Sequence, residues 1–520
     1  MNAIGTVGDI IRVHAGQRAD KPCLTSGDVR LTWAEVDERS SRTANGLASV
    51  GIGNQDRVAF LDKNSIEYFD VFLGAAKLNA VTVAVNWRLA PPEVLYIVND
   101  SQATVLVVGQ DFVPVLDAIA DQFTHVKIIL VIGGHAQHPN FSTWRDSQPA
   151  VDPGVIGTGQ DVAFQLYSSG TTGRPKGVML TNDNFFALLP VTGDMWRFDA
   201  ESKNLVAMPL FHIGGGGWAG AGMYNGCESV IVRELNPATL GELMATEKIT
   251  HAFLVPAVLQ FMQQVPSNHE LDFSAMVTLA YGASAISVPV LKGAVQMFGC
   301  DFWQCYGLTE TTGAIVNLPP ADHDPDGPNT HRLRAAGLPG PGVEIKISND
   351  DGTELLPDEV GEIWCRTQQN MLGYWNLPEE TAKSLTHDGW FKTGDAGYRD
   401  ADGYIYIHDR VKDMIVSGGE NIYPAEIENV LMSHPAVADC AVIGIPSERW
   451  GESPLAMITR KPGVDATPQD IIAHCRSQLA GFKIPSGVEW IDVIPRNPSG
   501  KILKKDLRAP YWAGRERMVN

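Results

Sequence analysis

Short, almost uninterrupted apolar runs rich in β-branched residues, such as Thr104-Val-Leu-Val-Val108 and Val126-Lys-Ile-Ile-Leu-Val-Ile132, constrain what this chain can become. A strand with one face in water alternates apolar with polar residues, whereas a run that is apolar throughout needs cover on both faces. These runs recur between helical patterns over residues 1–410, so an α/β body of helix-flanked sheets is predicted there. At 520 residues the chain exceeds one compact core. At roughly 150 residues per domain, two or three folding units are expected.

The pattern changes near Gly403. Tyr404-Ile-Tyr-Ile407 alternates like a strand and runs into the charged string His408-Asp-Arg-Val-Lys-Asp413. A small α+β domain is expected beyond it. Pro424 opens a helix with Ile427, Val430 and Leu431 on one face, residues 441–445 and 455–459 read as strands, and Thr467-Pro468 opens a helix burying Ile471, Ile472, Cys475 and Leu479.

A net charge of −20 argues against a nucleic-acid partner, which calls for a basic face. If the substrates are anions, the cations that meet them must sit in local motifs. The seven cysteines (23, 227, 300, 305, 365, 440 and 475) form no C-x-x-C pair and read as reduced thiols of a cytoplasmic protein, with a catalytic cysteine the disfavoured alternative. No signal-peptide pattern is present, and the longest apolar run, residues 80–85, is far shorter than the ~20 residues that span a bilayer. A soluble protein is expected; peripheral membrane contact and a homodimer are left open.

The most specific string is Tyr167-Ser168-Ser169-Gly170-Thr171-Thr172-Gly173-Arg174-Pro175-Lys176-Gly177. Glycines let backbone N–H groups approach phosphate oxygens, hydroxyls donate further hydrogen bonds, and Lys176 adds a point charge. It is not a Walker loop: G-x-x-x-x-G-K-[ST] is unmatched, and Val178-Met-Leu180 reads as a strand where a Walker loop would open a helix.

The string resembles the signature loop of the adenylate-forming superfamily (acyl-CoA synthetases, non-ribosomal peptide adenylation domains and luciferases), which wraps the β- and γ-phosphates of ATP. Further segments follow in that family's order across nearly the whole chain: Met208-Pro-Leu-Phe211-His212, Tyr281-Gly282-Ala283-Ser284-Ala285, Gln304-Cys-Tyr306-Gly307-Leu-Thr309-Glu310, Trp390-Phe-Lys-Thr393-Gly394-Asp395, Arg410 with Lys412, Ser417-Gly418-Gly419-Glu420-Asn421, and Pro495-Arg-Asn-Pro-Ser499-Gly500-Lys501.

The resemblance implies that Ser168, Ser169, Gly170, Thr171, Thr172, Gly173 and Lys176 hold the ATP phosphates. Tyr306 stacks on adenine, Thr309 contacts the α-phosphate and Glu310 holds Mg²⁺. Gly282, Ala283, Ser284 and Gly307 line the nucleotide site, Gly282 also bordering the acyl pocket. Asp395 accepts from both ribose hydroxyls and Arg410 contacts the same ribose. A hinge at 411–412, centred on Lys412, joins the body over 1–410 to a mobile lid domain over 413–520. Ser417, Gly418 and Gly419 meet the pantetheine arm of CoA, and Lys501 reaches the active site during the first half-reaction. His212 gates the acyl pocket. On residue type alone, His212 would serve as a structural histidine and residues 410–413 as a solvated charge cluster.

The implied reaction is attack of a substrate carboxylate on the α-phosphate of MgATP with loss of pyrophosphate, followed by transfer of the acyl group to a thiol. CoA is the expected acceptor, since no carrier-protein domain follows residue 520. The acid is less constrained. Gly214, Gly215, Gly216 and Gly217 before Trp218 either open the acyl wall to a bulky or long chain or let backbone segments pack closely. A fatty or other largely apolar acid is expected, with aryl or steroid-derived acids and a carrier-protein-loading ligase as alternatives; a luciferase-like oxygenase and a non-catalytic nucleotide binder are disfavoured. One departure stands out. The family often has Gly-Ala-Val and then a proline in the next strand, where this chain has Asn79-Ala80-Val81 and Ala84, and only local adjustment is expected.

Overall fold

The computed structural model describes residues 4–168, 174–284, 286–349, 351–410, 413–417, 420–496 and 502–513, with the backbone alone at 409, 410, 420 and 421. Both apolar runs form strands: Val105–Val108 is buried along its whole length, whereas Ile128–Val131, the end strand of its sheet, is half-buried over its first two residues. They lie in a seven-stranded sheet ordered 373–374, 176–181, 162–168, 81–84, 57–61, 105–108, 128–131. Its last five strands are parallel, and 176–181 and 373–374 add antiparallel at the other end. A nine-stranded sheet runs 338–339, 313–318, 301–308, 278–282, 251–254, 203–206, 228–231, 22–26, 29–32. One core joins the two sheets, with Leu24, Phe60, Phe164, Leu205 and Phe302 all within it. A four-stranded sheet of 344–348, 361–366, 391–399 and 405–410 carries the start of the charged string on its edge strand: residues 408–410 continue the strand Ile405–Arg410, with Asp409 opposite Ala396 and Arg410 opposite Asp395.

The C-terminal residues build a separate five-stranded sheet from 415–417, 420–422, 437–447, 451–460 and 487–490. Helix Pro424–Met432 buries Ile427 and Leu431 with Val430 packed beside them. Helix Pro468–Arg476 buries Ile471 and Cys475. Two details differ from the sequence pattern. Ile472 is only half-buried, and Leu479 reaches the same core from beyond the helix end. The mixed α/β class with a large body and a smaller C-terminal unit is as expected.

Asn79 adopts φ +54°, the left-handed region that asparagine tolerates better than most residues. Its side chain bonds Asn54 Oδ1 at 2.5 Å, and its carbonyl accepts from the Gln55 backbone N–H at 2.7 Å. The departure from glycine is therefore absorbed within one turn. No helix among the described residues is long and apolar enough to cross a membrane.

Candidate active site

The signature loop is carried by an antiparallel hairpin. Strand Val162–Ser168 enters it and strand Lys176–Thr181 leaves it, with Ser168 opposite Lys176 and Tyr167 opposite Gly177. No helix opens after it, which distinguishes it from a Walker loop. Ser169, Gly170, Thr171, Thr172 and Gly173 lie outside the described residues. Tyr167 donates to Asp100 Oδ2 at 2.6 Å, and a Cβ on Gly177 would lie 2.6 Å from Gln165 Nε2, so the foot of the loop is tightly fixed.

Strand Asp301–Leu308 ends in the 3₁₀ turn Thr309–Thr311. Thr311 Oγ1 accepts the Leu308 N–H at 2.9 Å and so pins that turn, which points Glu310 back toward the hairpin. The Glu310 carboxylate is buried; its Oε1 accepts from Ser168 Oγ at 2.9 Å and from Tyr374 OH at 3.1 Å. Its Oε2 carries no hydrogen bond among the described residues. Nor do those residues group three or more His, Cys, Asp or Glu into a protein metal cage. A single carboxylate without a protein cage around it is a donor set that suits Mg²⁺, which keeps water and phosphate oxygens in its shell.

The same strand carries Tyr306 and Gly307 into a cavity of about 350 Å³ that Ala283, Ser284 and Asp395 also line. Gly282 is required by its neighbours, because a Cβ there would sit 2.1 Å from the Cys305 carbonyl. Ala283 has φ +65°, a strained conformation for alanine of the kind that gathers at functional sites. Tyr306 OH donates to Asp395 Oδ2 at 2.7 Å. Asp395 stands opposite Arg410 in the strand register.

The Asp395 turn has supports that the sequence pattern did not reveal. Gly394, at φ +70°, donates its N–H to Glu362 Oε1 at 2.9 Å, and Trp364 Nε1 donates to Glu362 Oε2 at 2.8 Å. Thr393 Oγ1 accepts the Asp395 N–H and donates to the Ile363 carbonyl.

A second cavity, of about 840 Å³, is lined by Trp87, Arg88, Phe211, His212, Arg233 and Phe261 among others. His212 precedes helix Ile213–Tyr224 as its N-cap. Buried Asn64 holds the approach to it: Nδ2 donates to the Met208 and Val232 carbonyls at 3.0 and 3.2 Å, and Oδ1 accepts the Leu210 N–H at 3.0 Å. Asn64→Ala would strand these backbone groups and is expected to lower stability by about 2–4 kcal/mol, read as a reduced urea midpoint at unchanged slope.

The glycine run forms the first turns of that helix. Gly215 answers one of the two readings offered for it, since a Cβ there would lie 2.2 Å from the Pro209 carbonyl oxygen. A Cβ on Gly214 or Gly216 would lie 3.1 or 3.0 Å from the ring of Phe253 or Phe164 respectively, whereas one on Gly217 would meet only Ile213 at 3.4 Å. Trp218 is buried against Trp196 and Phe198. None of 214–218 lines either cavity. Gly215→Ala gains about 1 kcal/mol of helix propensity but meets backbone that must move, at about 3 kcal/mol. A net loss of about 2 kcal/mol is expected in a thermal unfolding scan.

Arg496 and Ile502 pair as a β-bridge, and Leu503 N–H bonds the Pro495 carbonyl at 2.8 Å. Ile502 lines the first cavity, Leu503 the second and Arg496 both. Lys501, between them in sequence, lies outside the described residues, as do Lys412, Gly418 and Gly419. Ser417 lies on strand Ile415–Ser417 and lines neither cavity. All seven cysteines are free thiols; Cys300 alone is half-buried, and burial pushes it up to about 12. Cys475 is raised to about 11, and Cys305, although it lines the first cavity, is raised further by complete burial. None of the seven is poised as a thiolate nucleophile.

Residues 11–375 match the model of the AMP-binding enzyme family, and residues 426–501 match its C-terminal domain. The chain belongs to the AMP-binding enzyme family. A fatty acid–[acyl-carrier-protein] ligase of Streptomyces coeruleorubidus is 41% identical, over 98% of this chain and 96% of that one. A long-chain-fatty-acid–CoA ligase of Mycobacterium tuberculosis is 36% identical, over 94% of each. Among solved structures, an anthranilate CoA ligase in complex with anthranoyl-AMP superposes with a TM-score of 0.90 at 27% identity, covering 97% of both chains. The family resemblance drawn from the motifs, and the class of AMP-forming acid–thiol ligase that it implies, are borne out.

Proposed function

We propose that this family member activates a fatty or otherwise largely apolar carboxylic acid with MgATP and passes the acyl group to the thiol of CoA. The observation that carries the reading is that Tyr306, bonded to Asp395, lines one cavity together with residues 496 and 502 of the C-terminal part, while the turn that follows Tyr306 brings Glu310 into a bond with Ser168 at the foot of the signature loop. Asp395 and Tyr306 orient the nucleoside, with Arg410 on the adjoining strand. Ala283, Ser284 and Gly307 leave room for it. Glu310 would hold Mg²⁺ together with phosphate oxygens, and the ion supplies charge neutralisation at the phosphates when bound.

The loop hydroxyls, Thr309 and Lys501 stabilise charge on the α-phosphate and on the departing pyrophosphate, so that catalysis is positioning plus electrostatics. In this reading residues 411–412 are the hinge about which the 413–520 domain turns, withdrawing Lys501 and bringing Ser417, Gly418 and Gly419 to the thiol. The second cavity suits the acceptor: Arg88 lines it and offers charge to a phosphate, Arg233 being held by Asp62 and Asp111, and Trp87, Phe211 and Phe261 offer apolar wall to an uncharged arm. In this reading His212, which lines the same cavity, gates the acyl pocket.

A second reading, transfer to a carrier protein's phosphopantetheine, draws support from the ligase of that specificity at 41% identity. One assay separates the two. Acid-dependent AMP release is measured across fatty acids of graded length and a set of aryl acids, with CoA and with a phosphopantetheinylated carrier protein. AMP release and acyl-CoA with long apolar acids are expected. Turnover with the carrier alone selects the second reading, and no acid-dependent AMP release with either thiol overturns both.

A further inference from the structure

Lys176 at the base of the signature loop already has a partner. Its Nζ lies 2.5 Å from Glu380 Oε2 and 4.9 Å over the ring of Tyr374. Tyr374 in turn donates to the Glu310 carboxylate at 3.1 Å. Carboxylate, ammonium, aromatic ring, hydroxyl and carboxylate thus form one unbroken series from Glu380 to Glu310. The geometry is fixed by a shared sheet edge. Strand Gly373–Tyr374 pairs with Met179 and Val178 on the strand that Lys176 begins. Thr381 Oγ1 accepts the Tyr374 N–H at 2.9 Å and donates to the Leu377 carbonyl, which ties helix Pro378–Ser384, the helix of Glu380, to that strand. Glu380 also accepts from Lys383 at 2.7 Å. The two lysines hold its carboxyl down to about 2, so it stays charged at any working pH.

Such a pair faces competition as soon as a polyphosphate enters. A phosphate site that neutralises a departing pyrophosphate well also binds the free anion and so retains it as product; only interactions stronger in the transition state than in the bound states raise the rate. A carboxylate within reach of the same ammonium gives Lys176 somewhere to return as the leaving group departs. We propose that Glu380 is a positioning residue that acts through Lys176, competing with phosphate for the ammonium and so promoting release of pyrophosphate. This rests on Lys176 being a phosphate contact.

The test uses the full-length enzyme and inorganic pyrophosphate as the probe, with product inhibition and the KM for ATP as readouts. Glu380→Gln keeps the shape and removes the charge. It is expected to tighten pyrophosphate inhibition by about fivefold, the upper end for a partly exposed ion pair, and to lower the KM for ATP with no gain in kcat. Glu380→Asp should restore inhibition close to that of the parent. Lys383→Ala, which leaves the Lys176–Glu380 pair in place, should leave the pyrophosphate constant unmoved. In a Lys176→Met background the Glu380→Gln change should have no further effect.

Weakened ATP and pyrophosphate binding in Glu380→Gln would mark a merely structural role and overturn the proposal, as would tightening that persists without Lys176. If Lys176→Met alone leaves both affinities unchanged, it is the assignment of Lys176 to phosphate that fails.

Discussion

Lys501→Ala is expected to slow acyl-adenylate formation by about 100- to 1000-fold, while thioester formation from a supplied acyl-adenylate runs close to the parental rate. Both reactants of the first step are anions, and the chain carries a net charge of −20, so the cations at the reacting phosphate cannot come from a general positive field. They have to be local. The residues flanking the 497–501 segment, Arg496 and Ile502, both line the cavity that holds Tyr306 and Asp395, whereas Ser417 does not. That arrangement suits the first half-reaction, the one in which Lys501 is proposed to act. Acid-dependent pyrophosphate release reports the first step, and acyl transfer from synthetic acyl-adenylate reports the second. Equal loss of both would remove Lys501 from its assigned role.

Glu310→Gln should lower the adenylation rate by about 100-fold and raise the Mg²⁺ concentration needed for half-maximal rate. The amide oxygen can still accept from Ser168 and Tyr374, so the melting temperature should change little; the variant removes charge while keeping the hydrogen-bonded frame. A rate that falls with no change in metal requirement would assign Glu310 to holding the loop alone.

Much of the fold was readable because its determinants are local. Runs such as 104–108 declare burial on both faces, and Pro424 and Thr467-Pro468 mark helix starts in the sequence. The site motifs were readable for the same reason, each being a short string with its own chemistry. What the sequence hid acts between segments. The Tyr306–Asp395 bond spans 89 residues and depends on the docking of two sheets. Glu362 reads as an ordinary strand acid, and it works through a backbone N–H that only the Gly394 turn presents. Tyr374 and Glu380 look like a strand end and a first-turn acid. The glycines after His212 defeat propensity altogether. Four glycines disfavour helix by about 1 kcal/mol each, yet the helix forms because Trp218, Ala219 and Ala221 are buried and because only glycine fits beneath the Pro209 carbonyl at 215.

The protonated thiols have a use at the bench. A thiol-reactive dye needs a thiolate within reach, and six of this chain's seven thiols are buried while burial pushes the seventh, Cys300, up to about 12. The protein should therefore be silent to such a reagent at neutral pH. Loss of the acceptor's single sulfhydryl could then be followed directly in the cuvette, with AMP release as the parallel trace, and any difference between the two would count activated acid that never reached a thiol.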